Sequence, residues 1–216
     1  MEIIKNFVVF EGLDGSGTTT QLKILEANLG SQKRQSQTAA EPLPSLYITF
    51  EPTDGIIGRI IRKSLKKEIT LSAESIAYLF AADRNEHLNE KGGILERCRR
   101  GELVVSDRYF ASSLVYQGIS CGGELARRLN QDFPGPELLL YFDIDPGTAE
   151  KRLSRRSQRE IYEYLDFQIK ARELYKSTLE ELSLKGVKVE SIDAALPPEE
   201  IGQIVLGIIK KMPIFT

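Results

Sequence analysis

Five short apolar runs punctuate the chain: Phe7 to Phe10, Leu46 to Thr49, Leu103 to Ser106, Leu138 to Asp143 and Val187 to Ile192. The first four are apolar on consecutive positions and the fifth is interrupted by Lys188, Glu190 and Ser191; together they predict buried strands of a parallel sheet. Helical spacing fills the gaps between them. Leu22, Leu25 and Leu29 share one side of a first helix that Gly30 is expected to stop. Ile57, Ile60, Ile61 and Leu65 fall together on a second. A third opens at Ser72, a good N-cap, and carries Ile76, Leu79, Phe80 and Leu88. Asp145-Pro146 and Pro197-Pro198 place a proline at the first turn of two later helices. Residues 31–45 are polar and aperiodic and read as a surface loop. Strands alternating with helices predict a three-layer α/β/α fold on a five-stranded parallel sheet, with ligands outside the carboxyl ends of the strands.

The first strand runs into Gly12-Leu13-Asp14-Gly15-Ser16-Gly17-Thr18-Thr19-Thr20, and the first helix follows. Strand, glycine-rich turn and helix in that order form a phosphate-binding loop of the P-loop NTPase type: backbone N–H groups close on phosphate oxygens and the helix N-terminus faces them. In the pattern G-x-x-x-x-G-K-[ST], Thr19 is the hydroxyl that holds magnesium, and Thr18 stands where the pattern has lysine. The missing ammonium is worth up to about 4 kcal/mol at about 4 Å in an effective dielectric near 20.

Composition narrows the ligand. A chain of 216 residues with 41% hydrophobic and 28% charged residues suits one compact domain, here residues 1–216, and neither disorder nor a membrane protein. Its net charge of −2 offers nucleic acid or anionic lipid no global attraction, so a small phosphorylated molecule fits better. Two cysteines without C-x-x-C spacing and a single histidine, His87, give no zinc or thiol chemistry and read as structural. Met1 leads into the first strand without a signal-type segment, which makes the expected location cytoplasmic.

Three further groups carry candidate chemistry. Asp107 ends the third strand, where a carboxylate orients a phosphate-bound metal, and Arg108 follows with a planar fork for a second phosphate. Arg152, Arg155, Arg156 and Arg159 stand at i, i+3, i+4 and i+7, so a helix there presents four guanidinium groups on one face. Residues 150–163, after the fourth strand, thereby read as a lid that replaces the absent lysine. Phe80 and Arg84 share a face of the third helix.

Together, Phe10-Glu11-Gly12-Leu13-Asp14-Gly15-Ser16-Gly17, Glu51-Pro52-Thr53, Leu79 to Arg84, Asp107-Arg108-Tyr109, Tyr116-Gln117-Gly118 and Ile192-Asp193-Ala194 resemble thymidylate kinases of the nucleoside-monophosphate kinase superfamily. The likeness spans nearly the whole chain and implies ATP-dependent, magnesium-dependent phosphorylation of dTMP by a homodimer. It implies that Phe80 stacks on thymine, Arg84 bonds an exocyclic oxygen, and Ser112 or Gln117 reads the polar edge. Tyr116 then crowds the sugar against a 2′-hydroxyl, Asp14 meets the 3′-hydroxyl and Arg108 clamps the acceptor phosphate. A glycine at position 15 is similar to members whose catalytic arginines come from the lid, here Arg155 and Arg156. Phe50 departs from the family by standing where an arginine usually serves the acceptor phosphate, with Arg59 or Arg62 as candidate replacements. Two other readings stay open: a nucleotide-binding protein of this fold with little turnover, and a deoxynucleoside kinase using Glu51 as base.

Overall fold

The structure is a computed structural model that describes residues 1–35, 44–154 and 160–215. Strands β1 (Ile3–Gly12), β2 (Leu46–Phe50), β3 (Leu103–Asp107), β4 (Gly135–Asp143) and β5 (Lys188–Asp193) form one sheet in the order β2-β3-β1-β4-β5. Every pairing is parallel, and the register sets Phe10 beside Asp107 and Gly12 beside Phe142. The predicted strands are therefore all present, each within a few residues of its expected limits.

The centre of the sheet is apolar. Phe7, Val8, Val9 and Phe10 of β1 and Leu103, Val104 and Val105 of β3 have no exposed surface, which is why these runs do not alternate. Helices α1 (Thr18–Gln35) and α9 (Pro198–Ile209) pack together beside the sheet. Gly202 permits this approach, since a Cβ there would lie 2.6 Å from Ile24 Cγ2. Helix α5 (Phe110–Cys121) packs against β1, with α3 (Ala73–Asn89) and α8 (Leu165–Leu184) beside it. Shorter helices α2 (Ile56–Leu65), α4 (Ile94–Arg99), α6 (Gly123–Asn130) and α7 (Pro146–Leu153) complete the connections.

Local signals placed several of these ends. Ser72 accepts the N–H of Ser75 as the α3 cap, and Asp145 accepts the N–H of Thr148 ahead of Pro146. Gly30 does not stop α1, which continues to Gln35, so residues 31–35 are helical rather than loop. A glycine inside a helix costs only about 1 kcal/mol, and buried Leu22, Leu25 and Leu29 hold the segment to the core. Residues 36–43 lie outside the described residues. On α2, Ile61 and Leu65 are buried while Ile60 is exposed at the margin of the apolar face. Among the described residues, no helix is long and apolar enough to cross a membrane.

Candidate active site

Strand order reverses on either side of β1, so its carboxyl end is the switch point where an α/β sheet opens a crevice. The glycine-rich loop occupies it. Gly15 and Gly17 have φ of +86° and +95°, a left-handed conformation that costs glycine nothing. Gly15 is doubly constrained, because a Cβ would lie 2.8 Å from the Ala149 carbonyl oxygen of α7. Thr20 and Gln21 both donate to the Gly17 carbonyl, while the N–H groups of Thr18 and Thr19 precede the first helical hydrogen bond and have no intrahelical acceptor. The loop floors a cavity of about 500 Å³ that also touches Asp107, Arg108, Arg152, Ala194 and Pro198.

Within this cavity Thr19 Oγ1 donates to Asp107 Oδ2 at 2.8 Å. The other carboxylate oxygen, Oδ1, is buried with no partner among the described residues, an acceptor left over for a cation. No cluster of three or more His, Cys, Asp or Glu capable of holding a metal occurs among the described residues; Thr19 and Asp107 offer one hydroxyl and one carboxylate. That suits magnesium, which keeps waters and binds substrate phosphates beside one or two carboxylates. Arg152, on the last turn of α7, donates to the carbonyls of Gly15 and Ala194 at 3.4 and 3.1 Å.

A second, narrower cavity of about 170 Å³ opens beside the first, between α2, α3 and α5. Phe80 and Arg84 both line it, as their shared face predicts. Arg84 is one of the largest fully buried side chains. Its Nε and Nη2 bond Glu51 Oε2 at 2.9 and 2.7 Å, Nη1 donates to Asn130 Oδ1 at 2.5 Å and Nη2 also donates to Ser113 Oγ at 3.0 Å. His87 extends this network, with Nδ1 3.2 Å from Glu51 Oε1 and Nε2 2.6 Å from Thr49 Oγ1. That arrangement suits the Nδ1–H tautomer with Thr49 donating to Nε2.

Asp14 and Arg108 belong to both cavities. Arg108 Nη2 donates to Asp14 Oδ1 at 2.6 Å, and its guanidinium lies 5.1 Å from the ring centroid of Tyr116. Arg108 has φ of +72°, which is costly for a side-chain-bearing residue and typical of functional sites. Beneath it Glu11 is completely buried, and loss of solvent pushes its carboxyl above the usual 4.5 against the opposing pull of Arg108.

A loop built for a nucleotide's phosphates and a second pocket joined to it by one shared arginine are the anatomy of a phosphoryl donor site beside an acceptor site. The family model described as thymidylate kinase matches residues 10–204. This chain belongs to the thymidylate kinase family. A provisionally named thymidylate kinase of Treponema pallidum (strain Nichols) is 41% identical over 209 residues, 95% of each chain. A probable thymidylate kinase of Pyrobaculum aerophilum is 38% identical over 207 residues, covering 95% of this chain and 97% of its own.

Among the described residues, those expected to act gather at the two adjoining cavities, except Gly12, which lines neither. Asp14, Phe80, Arg84, Arg108, Ser112, Tyr116 and Gln117 all line the second cavity, and Gly15 to Thr20 with Asp107 line the first. Ser112 is turned toward Glu11 at 2.5 Å, whereas its neighbour Ser113 stands beside Arg84. Arg155, Arg156 and Arg159 lie outside the described residues, and Arg152 stands on the last turn of α7. The far end of the expected lid, Glu160 and Tyr162, lines the second cavity. Arg62 lines it too, its guanidinium 5.2 Å from the Phe50 ring centroid and hydrogen-bonded to the Pro52 carbonyl. Arg59 instead bonds the Asp54 carbonyl at 2.7 Å outside it. Sequence reasoning missed Glu11, Asn130 and Ser113, and set His87 aside. Only Glu11 had a local signal, a charge directly after the apolar run Phe7 to Phe10.

Proposed function

We propose that this protein transfers the terminal phosphoryl group of ATP to dTMP, forming ADP and dTDP. The observation that carries the reading is the Asp14–Arg108 pair, 2.6 Å apart, which lines the donor and acceptor cavities together. Phosphoryl transfer passes through a loose transition state that calls for positioning and charge stabilisation rather than a base. Arg108 clamps the acceptor phosphate where the donor's terminal phosphate arrives. Phe80 stacks on thymine, Arg84 bonds an exocyclic oxygen and Gln117 reads the polar edge, with Ser112 on the phosphate side. Tyr116 crowds the 2′ position, and Asp14 meets the 3′-hydroxyl.

Thr19 and Asp107 hold magnesium, for which the unpartnered Asp107 Oδ1 is the supporting feature. The metal, when bound, neutralises phosphate charge. Arg108 and Arg152 are the cationic side chains among the described residues lining the donor cavity, and Asp14 and Asp107 oppose them there. With Thr18 in the lysine position, Arg155 and Arg156 supply the further charge the reaction needs, and Arg62 replaces the arginine absent at Phe50. The cytoplasmic location belongs to the same reading. So does the homodimer, for which exposed Ile56, Ile60 and Tyr78 on neighbouring α2 and α3 offer apolar surface. Measuring ADP release with dTMP, dUMP, UMP and dCMP tests the assignment: dTMP is expected to be preferred. Turnover with another acceptor but not dTMP would overturn the substrate, and tight binding without turnover would overturn the reaction.

A further inference from the structure

Glu11 is the fully buried penultimate residue of β1, and four donors converge on it. Oε1 accepts the backbone N–H groups of Tyr109 and Ser112 at 3.0 and 3.2 Å. Oε2 accepts the hydroxyls of Ser112 and Tyr175 at 2.5 and 2.9 Å. Those same two oxygens face Arg108 Nη1 at 3.0 and 3.4 Å. A hydroxyl has one hydrogen. The two hydroxyl oxygens also lie 3.0 Å from each other, and that of Tyr175 lies 3.4 Å from the Gly12 carbonyl oxygen, but the shortest contact of each is to Glu11 Oε2; with their hydrogens directed there, lone pairs face Arg108, whose Nη1 donates to them. This pins one edge of the guanidinium while Nη2 reaches Asp14.

The backbone contacts act on the same residue. Tyr109 is the N-cap of α5 but gives it no side-chain cap, so the carboxylate of Glu11, arriving from β1, takes that role. It thereby holds the turn in which Arg108 keeps its left-handed backbone, tied to β1 by donation from Arg108 N–H to the Phe10 carbonyl at 2.8 Å.

We propose that Glu11 is a positioning residue for the reaction: through the hydroxyls of Ser112 and Tyr175 it aims Arg108 at the acceptor phosphate without touching either nucleotide. This rests on the acceptor reading given above. The two explanations of any effect at Glu11 have opposite signs. Charge alone predicts that deleting an anion near a phosphate site tightens phosphate binding, whereas loss of aim weakens it. In Glu11→Gln the amide oxygen can still accept from the backbone, but its NH₂ group donates to the hydroxyls and turns their hydrogens toward Arg108, donor against donor.

The test compares binding of dTMP and of thymidine by calorimetry, with steady-state turnover beside it, on the full chain. Glu11→Gln is expected to weaken dTMP about 10-fold with thymidine unchanged, and to lower kcat about 30-fold with ATP affinity unchanged. Tyr175→Phe, which leaves the carboxylate in place, is expected to show the same selective loss at about 5-fold. In an Arg108→Ala background neither substitution should cost anything more, since coupled residues are non-additive. Unchanged or tighter dTMP binding, equal weakening of dTMP and thymidine, or full additivity with Arg108→Ala would overturn the proposal. Should Glu11→Gln fail to fold, Tyr175→Phe decides by the same criteria. Wild-type protein that binds dTMP but does not turn over would instead count against the reaction, and the dTMP-to-thymidine ratio would still decide the role of Glu11.

Discussion

Removing Glu51 leaves the guanidinium of Arg84 buried without its counter-ion. The pair is sealed, with side-chain exposures of 1% for Arg84 and 2% for Glu51, and is joined through Nε and Nη2 at 2.9 and 2.7 Å. Breaking a buried pair by deleting one partner costs about 3 to 5 kcal/mol. Asn130 and Ser113 still accept from Arg84, which places Glu51→Leu toward the lower end, at about 3 kcal/mol. With a urea slope of about 2 kcal/mol per molar, the unfolding midpoint should fall by roughly 1.5 M. Glu51→Leu with Arg84→Met removes both charges, and the double variant should recover most of the loss, giving a coupling energy of about 2 to 3 kcal/mol. Urea titrations of the four proteins measure the cycle. The dTMP KM separates stability from function: it should rise in Arg84→Met and stay raised in the stable double variant. A coupling energy under about 1 kcal/mol, in the range of exposed pairs, would refute the claim that this ion pair organises the acceptor pocket.

Asp107→Asn keeps the shape but removes the negative charge at the Thr19 site, and the magnesium concentration for half-maximal turnover should rise at least about 10-fold; an unchanged magnesium titration refutes the assignment. Gly15→Ala forces a side chain into φ of +86° and to within 2.8 Å of the Ala149 carbonyl, so ATP affinity should fall and stability drop by about 1 to 3 kcal/mol, both read by calorimetry. Thr18→Lys returns the ammonium and should raise kcat/KM for ATP about 10-fold, near 1.4 kcal/mol; a loss would show a loop rebuilt around threonine. Arg172 donates twice to Asp143 at 2.8 and 2.9 Å and holds that carboxyl below the usual 3.8. A depressed carboxyl contributes stability above its unfolded pKa and loses it as pH falls through the folded one. Arg172→Met should therefore cost about 0.5 to 1 kcal/mol near pH 7, and its deficit should close as pH drops below 3.8; a constant deficit across that range argues against the pair.

Local pattern and chemistry were written in the sequence. Consecutive apolar residues such as Phe7 to Phe10 located the strands, since burial on both faces leaves no polar alternation to obscure them. The loop from Gly12 to Thr19 was legible because its φ values and close backbone approaches admit few residues but glycine. Asp107 beside Thr19 followed from strand-end logic, and the 2.8 Å bond joins the two. The helix α8 carries a spacing as clear as the others, Ala171, Tyr175, Leu179 and Leu182, yet drew no reading because the basic run before it dominated that region.

Partners distant in sequence were settled by tertiary structure alone. Glu11 reaches residues 98, 101 and 164 positions away, and Arg84 meets Glu51, Ser113 and Asn130 from three other segments. No periodicity encodes such meetings; they arise when parallel register brings Phe10 beside Asp107 and packs α3 and α5 against each other. That Arg62 lines the second cavity and Arg59 does not has the same origin: both reach Asp54, but only the Arg62 guanidinium also meets the Pro52 carbonyl and the Phe50 ring at the cavity's edge. The chain's own order thus specified strands, loop and family, through short-range sterics and burial. Which charges neutralise one another, and which arginine has donors free to face a phosphate, was decided by packing, because a buried ion is stable only where the fold supplies its partner.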